Sequence, residues 1–182
     1  MSTQRAPQRA VIITAEGFED EEVIYPIIRL KEAGFDVDIA TKGKEMVLGR
    51  LKFPLELMVR YYGTIVEALT LDTNDYDLVL LPGGFEAPDR VRQMPEVLAF
   101  VKKMNEEKKI VAAFCHGPWI MISAGILKGK KATGYVGIKD DLINAGALYS
   151  DDASVVEDGN IITSRHPRDV GDFMKAILAR FE

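Results

Sequence analysis

A single α/β domain, with a mostly parallel sheet sandwiched between helices, is what this sequence predicts, and three observations carry the prediction. Short apolar runs of strand length (residues 10–15, 35–40, 78–81 and 110–114) alternate with stretches whose apolar residues recur at helical spacing. Alternation of that kind is the mark of βαβ units, which close with right-handed crossovers. A length of 182 residues suits one domain with a substantial core, and no linker, repeat or low-complexity tract divides the span 1–182.

Taken in order, residues 1–9 read as a polar N-terminal tail without a signal-peptide pattern. Residues 10–15 (A-V-I-I-T-A) form a buried strand by their continuous β-branched run. Val23, Ile24, Ile27 and Ile28 then mark one face of a helix that Gly34 ends, with Pro26 tolerated near its start. Residues 35–40 give the second strand. The stretch 42–77 is an irregular excursion with short strands, partly helical over 55–61, because Pro54 forbids a central strand. Its Leu57, Met58, Tyr61 and Tyr62 serve either as core filler or as a subunit contact. Residues 78–81 are a third buried strand, ending in Pro82-Gly83-Gly84. A helix over 95–107 follows, with Val97, Leu98, Val101 and Met104 inward. Further on come a strand at 131–135, a helix at 138–145 closed by Gly146, a hairpin over 155–162 and a terminal helix over 169–181.

The chain is organised around residues 110–118 (I-V-A-A-F-C-H-G-P). A buried strand runs into Cys115, and Gly117-Pro118 starts a helix over 119–127. Cys115 therefore sits on a strand-to-helix elbow, the thiol analogue of a hydrolase nucleophile elbow. Main-chain N–H groups and the positive end of the helix favour an anion there, so the thiol is expected to be held as thiolate. The run from 110 to 127 is long and apolar enough to be mistaken for a membrane span, but His116, Gly117 and Pro118 interrupt it, and no membrane partner is expected.

Composition narrows the function. Apolar residues make up 47% and charged residues 28%, with a formal net charge of −5. Those are globular proportions, and the charge argues against nucleic acid as a partner. The one cysteine cannot form an internal disulfide and fits a reducing, cytoplasmic setting. One cysteine and two distant histidines do not make a metal site, and no phosphate loop or dinucleotide fingerprint is present, so no metal or cofactor is expected.

Ligands of an open parallel sheet bind beyond the carboxyl ends of its strands. Three segments meet that criterion: the acidic run 16–22 after the first strand, Gly83-Gly84 after the third, and Cys115 after the fourth. Glu19 and Glu22, three apart, can share one face of a helix. A neutral carboxylic acid beside the sulfur would donate a hydrogen bond to it, which requires a desolvated glutamate. A backbone amide at Gly83-Gly84, with that of His116, could form an oxyanion hole. His116 is a candidate general acid or base that needs a carboxylate to orient it, whereas His166 receives no catalytic role.

These residues bring a family into view. The stretches T-A-E-G-F-E-D-E-E-V-I-Y-P (14–26), L-P-G-G-F-E-A-P-D-R-V-R (81–92), A-F-C-H-G-P (113–118), S-A-G-I-L-K-G-K (123–130), G-Y-V-G-I-K-D-D-L-I-N-A-G (134–146) and S-R-H-P-R-D (164–169) occur in order along nearly the whole chain. The sequence resembles the PfpI-type intracellular proteases of the glutamine-amidotransferase-like superfamily, which also holds the Parkinson-associated protein deglycase. The resemblance implies a flavodoxin-like three-layer sandwich with Cys115 as nucleophile, His116 beside it, and Glu22 facing the thiol, with Glu19 as the fallback. It further implies an oxyanion hole from the backbone amides of Gly84 and His116, and Tyr135 lining the site. In protease-like members a glutamate of a neighbouring subunit orients the histidine; the matching position here is Asp89, one methylene shorter. Dimers or hexamers are implied, although the 49–62 stretch is longer than in those relatives. The implied chemistry is thiolate addition to a carbonyl, of small peptides or of glycated and aldehyde substrates such as methylglyoxal adducts (peptidase, or deglycase and glyoxalase type). The alternative is a redox-sensing stress protein or holdase with an oxidisable Cys115.

Overall fold

The computed structural model describes residues 7–182; positions 1–6 of the polar tail lie outside the described residues. Arg9, assigned to that tail, instead begins the first strand, β1 (Arg9–Ile13). Its backbone N–H and guanidinium bond Asp77 and Asp38 at 2.9 Å each, so polar contacts anchor the strand at its start.

Helix α1 (Glu21–Glu32) and strand β2 (Asp36–Thr41) complete the opening βαβ unit. Pro26 is the sixth residue of α1 rather than a first-turn residue, so no N–H is available for the carbonyl of Glu22. The excursion is more regular than expected. It holds α2 (Leu55–Tyr62) and a true sheet member, β3 (Thr64–Glu67), parallel to β2. β3 escaped detection because it is a half-buried edge strand without a continuous apolar run. Met58 is core, whereas Leu57, Tyr61 and Tyr62 face out.

Strand β4 (Leu78–Leu81), helices α3 (Glu86–Val91) and α4 (Pro95–Glu106), and β5 (Ile110–Phe114) follow. Helix α5 (Pro118–Ser123) is shorter than predicted, its last carbonyls being met by Ala124 and Gly125. The expected strand at 131–135 is only β6 (Lys131–Ala132). It pairs with β7 (Leu148–Tyr149) in a separate two-stranded sheet, with α6 (Lys139–Asn144) between them. The hairpin is β8 (Val155–Asp158) and β9 (Ile161–Ser164), turning through Gly159 and Asn160, and α7 (Val170–Leu178) closes the chain.

The main sheet runs β3-β2-β1-β4-β5-β9-β8, parallel throughout except for β8. Helices α1, α2 and α7 pack together as one layer, and α3, α4, α5 and α6 as the other. β1, β4 and β5 are adjacent at the centre and buried on both sides, as a parallel sheet between two helical layers requires. Phe114 stacks on Phe173 with centroids 4.8 Å apart, which ties α7 to the strand that ends at Cys115. The three central strands point their carboxyl ends at one edge, and the site is built there. Among the described residues no helix is long and apolar enough to cross a membrane.

Candidate active site

Cys115 is the first residue past β5, and its backbone takes the left-handed conformation, φ +55°. A non-glycine residue there costs about 1 kcal/mol or more. Neighbours hold it in place: its N–H donates to the Ser164 carbonyl (3.2 Å), and its carbonyl accepts from the Tyr135 N–H (2.9 Å). The second bond explains why the strand through β6 stops early, since Gly134 and Tyr135 turn aside to pack on the elbow.

Glu22, in the first turn of α1, is fully buried. Its Oε2 accepts a hydrogen bond from the Gly83 N–H at 2.6 Å. Oε1 is buried without a well-aligned partner, although the carboxyl group lies close enough to Cys115 for a side-chain hydrogen bond. Burial pushes the Glu22 carboxyl well above the usual carboxylate range, against the Gly83 hydrogen bond and with a further push from the Glu19 charge. This is the desolvated glutamate the sequence argument required.

The thiol departs from expectation. Cys115 is only 6% exposed, and burial pushes it up, as does a negative charge on Glu22; hydrogen bonds from the His116 and Gly84 amides pull it down. The helix behind it has six residues, too short for much of a dipole. A preformed thiolate owed to a helix end is therefore corrected to a coupled pair. Two acids this close do not both ionise, so once the pair has given up its first proton Cys115 and Glu22 share the remaining one and a single negative charge. When the proton sits on Glu22 its charge vanishes, and the two amides face a sulfur anion.

Gly83 and Gly84 make that geometry possible. A side chain on Gly83 would place its Cβ 2.6 Å from Cys115 Cβ and 2.7 Å from Glu22 Oε2, so only glycine lets the pair meet. Gly84 takes φ +75°, and a Cβ there would strike the Gly17 carbonyl at 2.4 Å. The amides of Gly84 and His116 act on the sulfur to favour its anion, and an attacked carbonyl oxygen at that point could receive them in turn.

His116 Nδ1 lies 3.3 Å from Cys115 Sγ. Aromatic rings rather than a carboxylate orient the imidazole: Tyr135 stacks on it at 4.7 Å and 28°, and Trp119 meets it edge-on at 5.0 Å. Trp119 is itself fixed by donating Nε1–H to Asp141 at 2.8 Å. Burial lowers the His116 pKa, and Arg50 lowers it further against the opposing charge of Asp141. The imidazole is therefore neutral at pH 7.

Glu19, the fallback, does not bond the thiol; its carboxylate pairs with Arg50 at 2.7 Å. Asp89 does not reach His116 within the chain. It sits on α3, accepts from Gln93 Nε2 at 3.1 Å, and lines a cleft of about 770 Å³ together with Phe85, Glu86, Arg90 and Trp119. That cleft opens beside the elbow and does not include Cys115 itself. His166 contacts Asp169 and Arg168. Among the described residues no cluster of metal-ligating side chains occurs.

Sequence reasoning missed Asp20, Arg50 and Asp141. Asp20 is 3% exposed and fastens the 48–53 turn beside the site. An acidic run gives no sign of which member is buried, and Asp141 lay in a motif noted only for its order.

Known proteins carry the same frame. The model of the DJ-1/PfpI family matches residues 8–180. A protein of Thermococcus kodakarensis named Deglycase TK1284 is 42% identical over 170 residues, covering 93% of this chain and 97% of its own. Putative cysteine protease YraA of Bacillus subtilis is 39% identical, covering 94% and 96%. The crystal structure of Drosophila melanogaster DJ-1beta superposes with a TM-score of 0.79 at 28% identity, over 94% of this chain and 88% of that one.

Proposed function

The chain belongs to the DJ-1/PfpI family, and on that premise we propose that it is a cysteine-dependent hydrolase whose nucleophile is Cys115. The observation that carries this reading is the buried pair: a thiol on a strained elbow, a raised glutamate beside it, and two amides aimed at the sulfur. Pairs of titratable groups whose surroundings shift them together are the usual source of acid–base function.

The proton of the thiol moves to Glu22 as the sulfur forms a bond to a substrate carbonyl carbon. The carbonyl electron pair moves onto oxygen, which the Gly84 and His116 N–H groups receive. With a peptide, the carbon–nitrogen bond then breaks. The departing amine takes the proton from Glu22, and water hydrolyses the thioester. With a methylglyoxal adduct of an amine, the sulfur displaces the amine at the aldehyde-derived carbon, and the amine leaves with the proton from Glu22. A proton then moves from that carbon to the neighbouring carbonyl carbon through an enediol, so that one carbon is oxidised as the other is reduced, and water hydrolyses the resulting lactoyl thioester to lactate. Neutral His116, within reach of the sulfur, is available to move protons at the departing group. Relatives named deglycase and cysteine protease support both substrate classes. Parallel assays on a fluorogenic peptide and on methylglyoxal-treated amino acid, with Cys115→Ala as control, decide between them. Equal turnover by protein and variant removes the reading.

Self-association is part of the proposal. Among the described residues His116 has no carboxylate hydrogen-bonded to it, while Asp89 on α3 faces solvent, bonded at its carboxylate only to Gln93, and in our reading serves another copy. A second reading, redox sensing, is favoured by the unpartnered Oε1 of Glu22, because a sulfinate at Cys115 would accept its proton. Mass spectrometry after mild peroxide tests it: an unmodified Cys115 rejects it.

A further inference from the structure

One ion pair at the mouth of the site has no place in the mechanism above. The turn over 48–53 is fastened to the 16–20 segment by five hydrogen bonds: Gly17 N–H to the Leu48 carbonyl, Leu48 N–H to Glu16, Arg50 N–H to the Phe18 carbonyl, and Leu51 and Phe53 N–H to the buried Asp20 carboxylate. All lie between 2.7 and 3.2 Å. This staple fixes where Arg50 leaves the backbone. Its guanidinium bonds Glu19 at 2.7 Å and lies 5.5 Å from the centroid of Phe85.

Glu19 is close to the reacting groups through the main chain as well. Its N–H donates to the Gly83 carbonyl at 3.2 Å, and its backbone packs on Gly84. We propose that Arg50, held by this staple, is a positioning residue for Cys115: it neutralises the Glu19 carboxylate, so that this charge does not oppose ionisation of the pair formed by Cys115 and Glu22. The inference rests on the reading of Cys115 as nucleophile.

The charges around the sulfur make the case. From α1 and the turn before it, Glu22 and Glu19 face the sulfur, and Glu21 adds to the field on Glu22. From the elbow itself His116 faces the sulfur, and Asp141 of α6 acts on His116. Tyr135 contributes an aromatic face. Arg50 is the cation paired with Glu19, and its field also reaches His116 beside the sulfur. Without it, the Glu19 charge, together with that of Glu21 on Glu22, would oppose ionisation of the pair uncompensated.

The test is the pH dependence of Cys115 alkylation by iodoacetamide, in which thiolate displaces iodide to form a carbon–sulfur bond. Arg50→Met is expected to raise the midpoint by about half a pH unit, roughly a threefold slower rate below it. Arg50→Lys restores the charge without the planar fork and should stay at the wild-type midpoint. Glu19→Gln should lower the midpoint, and the double variant Glu19→Gln/Arg50→Met should return to it. Should Arg50→Met fail to fold, Glu19→Gln carries the same test with opposite sign. An unshifted Arg50→Met, an Arg50→Lys displaced as far as Arg50→Met, or a double variant that does not return each overturns the inference. If alkylation of the unaltered protein shows no midpoint between pH 5 and 10, the nucleophile reading has failed, and this one falls with it.

Discussion

Replacing Glu22 by glutamine separates the carboxyl group's chemistry from its shape. The amide oxygen can still accept the Gly83 N–H, now made at 2.6 Å to Oε2, so the elbow should persist. What disappears is the proton. Glu22 is an acid whose folded value lies well above its ordinary 4.5, so the folded protein retains a proton that the unfolded chain releases. Stability then falls as pH rises above 4.5, by at most ~1.4 kcal/mol per pH unit, until the pair formed with Cys115 gives up its first proton. Cys115 adds nothing in this window, because the unfolded thiol also stays protonated until near pH 9. Glu22→Gln lacks this loss. Relative to the unaltered protein it should gain stability progressively as pH rises above 4.5, by at most ~1.4 kcal/mol per pH unit, while turnover drops by about a hundredfold or more through loss of proton transfer. Urea unfolding across that range, with turnover measured alongside, reads both. Stability curves that run parallel, with a constant offset, would refute the raised carboxyl and the shared proton together.

Four further outcomes follow from the geometry. Cys115→Gly should be more stable than Cys115→Ala by about 1 kcal/mol in thermal unfolding, because only glycine relaxes at φ +55°, and both should be inactive. Gly83→Ala should cost about 1–3 kcal/mol and lower turnover at least tenfold, since its Cβ would wedge between Cys115 and Glu22; calorimetry and a steady-state assay check it. Asp89→Asn should reduce kcat while leaving Cys115 alkylation unchanged, and light scattering should find more than one copy per particle; a fully active monomer contradicts this. Because burial and Arg50 lower the His116 pKa, the midpoint of its NMR titration should fall below the ordinary imidazole value of 6.5, and a midpoint above that value contradicts the reading.

Much of this molecule could be read from residue order, and the losses have physical causes. Fully buried strands announce themselves by uninterrupted apolar runs, which is why β1, β4 and β5 were placed to within a residue or two. β3 is an edge strand with no fully buried residue, and no such run marks it. The elbow was legible because Gly117-Pro118 after an apolar strand leaves the chain few other courses. Ionisation was not legible, because it depends on how deeply Cys115 and Glu22 are buried together, a property of the assembled edge rather than of either segment. Arg50 and Asp20 were invisible for a related reason: their roles come from a turn that crosses back over α1's approach, in the stretch with the weakest periodicity.

The carboxyl group of Glu22 and the amide that holds it are sixty-one positions apart in the chain, and the sulfur arrives on a third strand later still. No single βα unit carries the reacting groups; they meet only when β1, β4 and β5 stand side by side at the middle of the sheet. Turnover is therefore a report on the finished molecule. A nicked, truncated or half-refolded chain should be silent rather than slow, and recovery of activity on refolding would time the last docking event among β1, β4 and β5.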